Sequence, residues 1–302
     1  MSAQLIEPTD VIDVSSLAVL IYGQPGSGKT SLAQTAEDPF TLDLDFGAHR
    51  SAFRKTIMRF YAWDDVNAAQ PEIAKHKTVN TDTVGRFLDL MTADIVKKNA
   101  KHGSPFAGLS LQGFGVLKAR FAQWVGQLNL TGKDRIFIAH QKEEKDGDNT
   151  ILRPDITGGS YGEVMKFTDL VGYLKIVNGR RVLDFNPTDY YVGKNAAGWP
   201  AMEVPDLAKE PHFLANLLAD AKAKIGKTAE ASAALAVVVD DWSVRLNNLD
   251  GIDQLNAALP DLGKISNGAK RQAWTLILQY AESKGFVFDK AAKKFVQKGA
   301  TA

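Results

Sequence analysis

LAVLIYGQPGSGKTSLA, residues 17–33, is the stretch that decides the fold. Leu17–Tyr22 is a short apolar run of β type, Gly23 to Gly28 is a glycine-rich turn, and Lys29 opens a helix-forming stretch. Gly23, Gln24, Pro25, Gly26, Ser27, Gly28, Lys29 and Thr30 spell G-x-x-x-x-G-K-[ST] between a strand and a helix. The glycines let backbone N–H groups converge on phosphates, and the helix N-terminus adds a positive dipole. Lys29 would reach the β/γ oxygens, and Thr30 would bind Mg²⁺. The stretch predicts a nucleoside triphosphate site, with ATP and Mg²⁺ as its cofactors.

Outward from this motif, strands and helices alternate. Phe40–Asp45 is a second apolar run that ends in acids. Val84–Asn99 puts Val84, Phe87, Leu88, Met91 and Ile95 on one helical face, and Val116–Leu128 stripes Leu117, Phe121, Trp124, Val125 and Leu128. RIFIA, residues 135–139, reads as a buried strand. Such alternation predicts an α/β fold with a mainly parallel central sheet and right-handed crossovers. Further on, YLKIV and RRVLDF flank Asn178-Gly179, which suits a two-residue type I′ hairpin and predicts an antiparallel extension of the sheet.

Pro211 opens a helix on Phe213, Leu214, Leu217, Leu218 and Ala221, with Gly226 placed to end it. The core is therefore expected over residues 1–226. Residues 227–236, KTAEASAALA, read as a linker or a weakly held helix. Helical stripes on Trp242/Leu246/Leu249, Ile252/Leu255/Leu259 and Trp274/Ile277/Leu278 then predict a small C-terminal helical module over 227–302, ending in the Lys-rich FDKAAKKFVQK.

Composition narrows the function classes. The 302 residues carry 36 Lys and Arg against 35 Asp and Glu, a net charge of +1. Any nucleic-acid contact must then come from a local patch. The absence of cysteine excludes disulfides, thiolate catalysis and thiolate metal sites, and fits a reducing cytoplasm. The first residues lack a basic leader, and no apolar run approaches the ~20 residues that span a bilayer. A soluble, cytoplasmic protein with no membrane partner is expected.

A triphosphate site also needs one carboxylate to hold Mg²⁺ through water and another to polarise the attacking water. Two places compete: Asp43 and Asp45 end FTLDLD, and Asp82 ends the polar strand TVNTD. His140 follows RIFIA at a strand's carboxyl end, where α/β proteins place ligands. It is a γ-phosphate sensor or a structural histidine. Lys142–Gly162, KEEKDGDNTILRPDITGGSYG, reads as a long polar loop, the kind that is usually functional. Lys142, Lys145 and Arg153 could meet phosphates there, and its five acids offset them.

The ordered set of P-loop, TLDLD, TDTVGR, RIFIAHQ and ITGGSYGEVMKF resembles the RecA family of recombinase ATPases. More narrowly, LDFGAHR, AHQKEEKDGD, RPDITGGSYGE, DLVGYL and VGKN look like the phage RecA-like single-strand annealing proteins of the Sak ATPase group. The resemblance covers roughly residues 17–210. It implies a minimal RecA core that binds single-stranded DNA, hydrolyses ATP and promotes annealing or strand pairing in phage recombination. By the same resemblance Asp45 matches the catalytic carboxylate, more often Glu in the family. Asp82 matches the Walker B acid, His140 the γ-phosphate sensor, and Thr157-Gly158-Gly159 the end of a DNA-binding loop. Lys194, in VGKN, matches lysines that reach a neighbouring subunit's nucleotide, so a ring or filament of copies is expected.

Two rival readings stay open: a P-loop DNA motor or helicase-loading ATPase, and a non-hydrolysing nucleotide-gated scaffold. The tail lies outside the resemblance. Lys284, Lys290, Lys293, Lys294 and Lys298 against Asp289 make residues 284–298 strongly basic, a solvated helix face or an auxiliary contact for DNA or a single-strand-binding protein.

Overall fold

The computed structural model describes residues 5–10, 13–51, 54–105, 108–147 and 149–298. In chain order the elements are β1 (Ala18–Gly23), α1 (Lys29–Ala33), β2 (Pro39–Asp43), β3 (Thr56–Arg59), α2 (Asp65–Lys75), β4 (Thr78–Asp82) and α3 (Val84–Lys98). There follow α4 (Leu111–Asn129), β5 (Asp134–Asp146), β6 (Asn149–Pro154), α5 (Gly159–Phe167), β7 (Leu170–Val177), β8 (Arg180–Asp184), β9 (Lys194–Asn195) and β10 (Met202–Glu203). The chain ends with α6 (Phe213–Asn247), α7 (Ile252–Ala258), α8 (Asn267–Ser283), β11 (Phe286–Asp289) and β12 (Lys294–Gln297).

Val14–Ile225 forms one compact unit around a sheet ordered β10-β8-β7-β1-β5-β4-β2-β3, with β6 on β5 and β9 on β7. The six strands from β7 to β3 in that order run parallel, and β6, β8, β9 and β10 pair antiparallel. This is the expected mainly parallel α/β sheet of a RecA-like P-loop fold. Every residue of β1 is buried because helices cover both faces. Ala18, Leu20 and Tyr22 enter one core with Phe87, Phe121 and Trp124, whereas Val19 and Ile21 enter the other with Leu32, Leu214 and Leu218. At the β7–β8 turn Asn178 (φ 51°) and Gly179 (φ 75°) both have the positive φ of a type I′ hairpin.

The polar strand β4 has a physical reason. Asn80 donates through Nδ2 to the Ala33 carbonyl and to Thr41 Oγ1, while Thr78 Oγ1 donates to the Glu37 carbonyl. Gln34 Nε2 also donates to Thr41 Oγ1. Buried polar groups are tolerated where partners satisfy them, and these bonds tie β4 and β2 to the end of α1; Asn80 Oδ1 and Thr81 Oγ1 stay buried without a partner among the described residues.

Three expectations are corrected. Lys142–Gly162 is no structureless loop: residues 142–154 extend β5 and turn at Gly147 (φ 61°) into β6, and residues 159–162 open α5. KEEKD has no apolar residue and NTILRP sets Ile151 beside Leu152, so neither strand shows the alternation of a half-buried strand. Asp148 of that stretch lies outside the described residues. Gly226 does not end a helix, since α6 runs unbroken through 227–236; alanine-rich sequence propagates a helix well, and one glycine costs it only about 1 kcal/mol. The Lys-rich end is a hairpin, β11 paired with β12, in place of a helix face.

Gly226–Ala302 and Met1–Asp13 make the second unit, with its own core of Trp242, Leu246, Leu255, Ile277 and Phe295. Among the described residues no helix is long and apolar enough to cross a membrane.

Candidate functional site

The phosphate loop leaves β1 at Gly23, where a Cβ would stand 2.2 Å from the Leu174 carbonyl oxygen of β7. Only glycine allows that approach. Gly28 has φ 97° and caps α1 in the left-handed region, again a glycine requirement. The Lys29 ammonium is buried and donates to the Gly23 (3.0 Å) and Gln24 (2.7 Å) carbonyls. Burial lowers its pKa to about 8, against the opposing pull of Asp82 and Asp45.

β4 delivers Asp82 to the head of α1, where its Oδ2 accepts from Thr30 Oγ1 at 2.6 Å. Burial raises the Asp82 carboxyl to about 7; Asp45 and Asp43 push the same way, and the Thr30 hydrogen bond and Lys29 resist. Beside it, the two acids that end FTLDLD part company. Asp43 is fully buried, accepts from the Ala48 N–H and stands 3.6 Å from Arg59 on β3, so it pins the turn and the sheet edge. Asp45 is half-buried, accepts from the Gly47 N–H at 2.9 Å and lines the cleft with Lys29, Thr30, Asp82 and His140.

His140 pairs in register with Gly23, which carries it from β5 to the mouth of the phosphate loop. Its Nδ1 is buried without a hydrogen-bond partner among the described residues. Burial and the neighbouring Lys29 charge lower its pKa, so the ring is a neutral imidazole at neutral pH. The phosphate cleft holds about 450 Å³. A second cleft of about 360 Å³ adjoins it, sharing Asp45, Thr83 and His140 and continuing to Arg86, Asp155 and Thr157.

That continuation leads to the β5–β6 hairpin. Lys142 stands 3.6 Å from Asp155, Arg153 pairs with Glu144 and lies over the Tyr161 ring, and Lys145 is exposed opposite Thr150. Two of the three basic residues singled out here are therefore ion-paired within the hairpin. Thr157, Gly158 and Gly159 form the entry to α5, with Phe114 of α4 against Gly158 and the Lys118 stem against Gly159.

Lys194 is placed elsewhere. It pairs with Val171, three residues before the Leu174 that meets the phosphate loop, and its ammonium donates to the Thr168 carbonyl. Among the described residues its side chain bonds no group that lines its own chain's nucleotide cleft.

The motifs did not reveal Arg50 and Arg181, which line the phosphate cleft, or Leu111 and Phe114, which are 90% and 41% exposed at the start of α4. The signal for Arg181 was present in RRVLDF, since a tight hairpin on a strand next to β1 returns its first residues beside the phosphate loop.

No curated protein matches this chain. A solved structure of a KaiC-like protein from the hyperthermophilic archaeon Pyrococcus horikoshii OT3 is similar over 56% of this chain and 77% of that one, at 12% identity and a TM-score of 0.34. Residues 15–197, more than half of the chain, match the family model AAA_24, described as an AAA domain. With a complete phosphate loop between strand and helix and a carboxylate on the threonine that ends it, this chain belongs to that AAA domain family of P-loop ATPases.

Proposed function

We propose that the chain is an ATP-hydrolysing, RecA-like recombination protein of phage type that binds single-stranded DNA and promotes annealing or strand pairing. The observation that carries the reading is continuity: one groove runs from the phosphate loop past Asp45 and His140 to Asp155 and Thr157, at the root of the β5–β6 hairpin. A change at the γ-phosphate end is then adjacent to the surface that would hold DNA.

The residues fit a magnesium nucleotide. The Thr30 hydroxyl and the Asp82 carboxylate stand side by side as oxygen ligands, and among the described residues no group of three or more His, Cys, Asp or Glu could hold a metal alone. That donor set suits an ion shared with phosphates, which when bound neutralises charge on the β/γ oxygens. Lys29 exchanges its carbonyl partners for phosphate oxygens. Asp45 orients the attacking water and accepts its proton, and neutral His140 donates its ring N–H to a γ-phosphate oxygen. On the DNA side, Lys142, Lys145 and Arg153 meet phosphates, Thr157, Gly158 and Gly159 offer backbone N–H groups, and Phe114 offers a ring on which a base stacks.

Copies of the chain assemble as a ring or filament in the host cytoplasm, with Lys194 reaching the adjoining subunit's nucleotide. The basic tail contacts DNA or a single-strand-binding protein. The deciding experiment is ATP hydrolysis with and without single-stranded DNA. Stimulation by DNA together with annealing supports the reading; directional translocation favours a motor, and nucleotide binding without turnover favours a scaffold. For the assembly, mixing Lys194→Ala with Lys29→Ala protein recovers activity if each variant spoils a different side of a shared site.

A further inference from the structure

Arg181 stands beside the phosphate loop without an ion-pair partner among the described residues. Its Nε donates to the Ser27 carbonyl at 2.9 Å, and its guanidinium lies against Gly28, where a Cβ would come within 2.9 Å of the same nitrogen. Its neighbour Arg180 pairs with Glu203, and Arg59, Arg120, Arg153 and Arg245 also have carboxylate partners. Arg181 has none among the described residues. A guanidinium held by one carbonyl and without an ion-pair partner keeps N–H groups that suit phosphate oxygens.

Its position fixes which phosphate. Toward the second cleft the phosphate cleft is lined by Asp45, Asp82 and His140, the groups suited to hydrolysis. The other end opens past Gly28, Ser31 and Arg181 into a hollow of about 170 Å³ walled by Leu174, Val204, Pro205, Leu207 and Asp206, the last paired with Lys209 at 3.9 Å. A nucleoside triphosphate is linear, so a γ-phosphate at the carboxylate end puts the α-phosphate and the nucleoside at the Arg181 end.

We propose that Arg181 is a binding cation for the α/β-phosphate end of nucleoside di- and triphosphates, acting within its own subunit and setting nucleotide affinity more than the rate of hydrolysis. The inference rests on the nucleotide reading above and adds to it a residue outside the phosphate-loop motif. It also makes the β7–β8 hairpin a part of the nucleotide site.

The test is calorimetric titration of Arg181→Ala, Arg181→Gln and Arg181→Lys with ATP and, separately, ADP in the presence of Mg²⁺, together with steady-state hydrolysis. A lost charge-assisted contact is worth about 10- to 100-fold in affinity. Kd for ATP and for ADP should rise by that factor in the Ala and Gln variants, KM should rise with it, and kcat should fall less than about threefold. The Lys variant should recover part of the affinity. Arg181 is exposed, so melting curves should superimpose on wild type; the Gln variant keeps the side-chain stem and gives the same readout if the Ala variant folds poorly. Unchanged affinity for both nucleotides overturns the proposal. So does a loss confined to ATP, which would place Arg181 at the γ-phosphate, and so does a large fall in kcat at constant Kd. Failure of the wild-type chain to bind either nucleotide overturns the nucleotide reading itself.

Discussion

Thr30 and Asp82, fifty-two residues apart in the chain, meet through a 2.6 Å hydrogen bond from Thr30 Oγ1 to Asp82 Oδ2. β4 carries the acid and α1 the hydroxyl, and β5 lies between β4 and β1, so the contact exists only once the sheet has formed.

The buried Asp82 carboxyl, raised to about 7, makes stability depend on pH. A carboxyl raised on folding favours the native state when protonated, fully so below its unfolded value near 3.8, and that contribution is lost as pH rises through about 7. Asp82→Asn cannot ionise. In denaturant melts it is expected to exceed wild type by on the order of 1–3 kcal/mol at pH 8, with the gap shrinking as pH falls toward 4. Its Mg²⁺-dependent hydrolysis should be lost.

Lys29, lowered to about 8, predicts a pH dependence of nucleotide affinity. Its ammonium is charged below that value and loses its charge above it, so ATP affinity measured by calorimetry should weaken as pH rises past about 8. Lys29→Ala should abolish productive binding at every pH, because the side chain supplies a point charge to phosphate. Equal affinity in variant and wild type would sink the assignment.

Asp45 faces the cleft, and Asp43 is committed to the Ala48 N–H and Arg59. Asp45→Asn should therefore keep ATP binding and lose about 10²-fold or more in turnover, since the amide preserves shape and lacks the basic lone pair. Asp43→Asn should instead lower the melting temperature. The reverse pattern would exchange the two roles.

For DNA, about three phosphate contacts per subunit from Lys142, Lys145 and Arg153 give a slope near −2 for log affinity against log salt, from ~0.7 per phosphate on single strands. The triple alanine variant should flatten that slope. Phe114→Ala should weaken binding by about 1–3 kcal/mol with the slope unchanged, because stacking releases no counterions. Fluorescence anisotropy over a salt series separates the two.

Gly23→Ala places a methyl 2.2 Å from the Leu174 carbonyl, a contact only a backbone shift relieves. It should cost on the order of 3 kcal/mol or more in chemical denaturation, since β1 and β7 must part at their carboxyl ends.

The residues near one another in the chain were legible from sequence. The phosphate loop, the helical faces of α3 and α4, the buried strand in RIFIA and the Asn178-Gly179 turn each carry their signal within a few residues, through periodicity or a required φ. The choice between Asp43 and Asp45, the partners that satisfy polar β4, and the convergence of Arg181, Arg50 and His140 on one cleft needed the folded chain. Each depends on strand pairings across dozens of residues, as when Leu174 registers with Gly23 and returns Arg181 over Gly28. The β5–β6 and β11–β12 hairpins escaped for a related reason: KEEKD is polar throughout, and FVFD and KFVQ are only four residues each, too short for alternation to register, so what marks them as strands is hydrogen bonding between backbones, which side-chain periodicity does not record. Sequence thus determined the local elements and the phosphate-binding chemistry, and the sheet decided which distant charges meet there, because only pairing between remote segments brings them within hydrogen-bond reach.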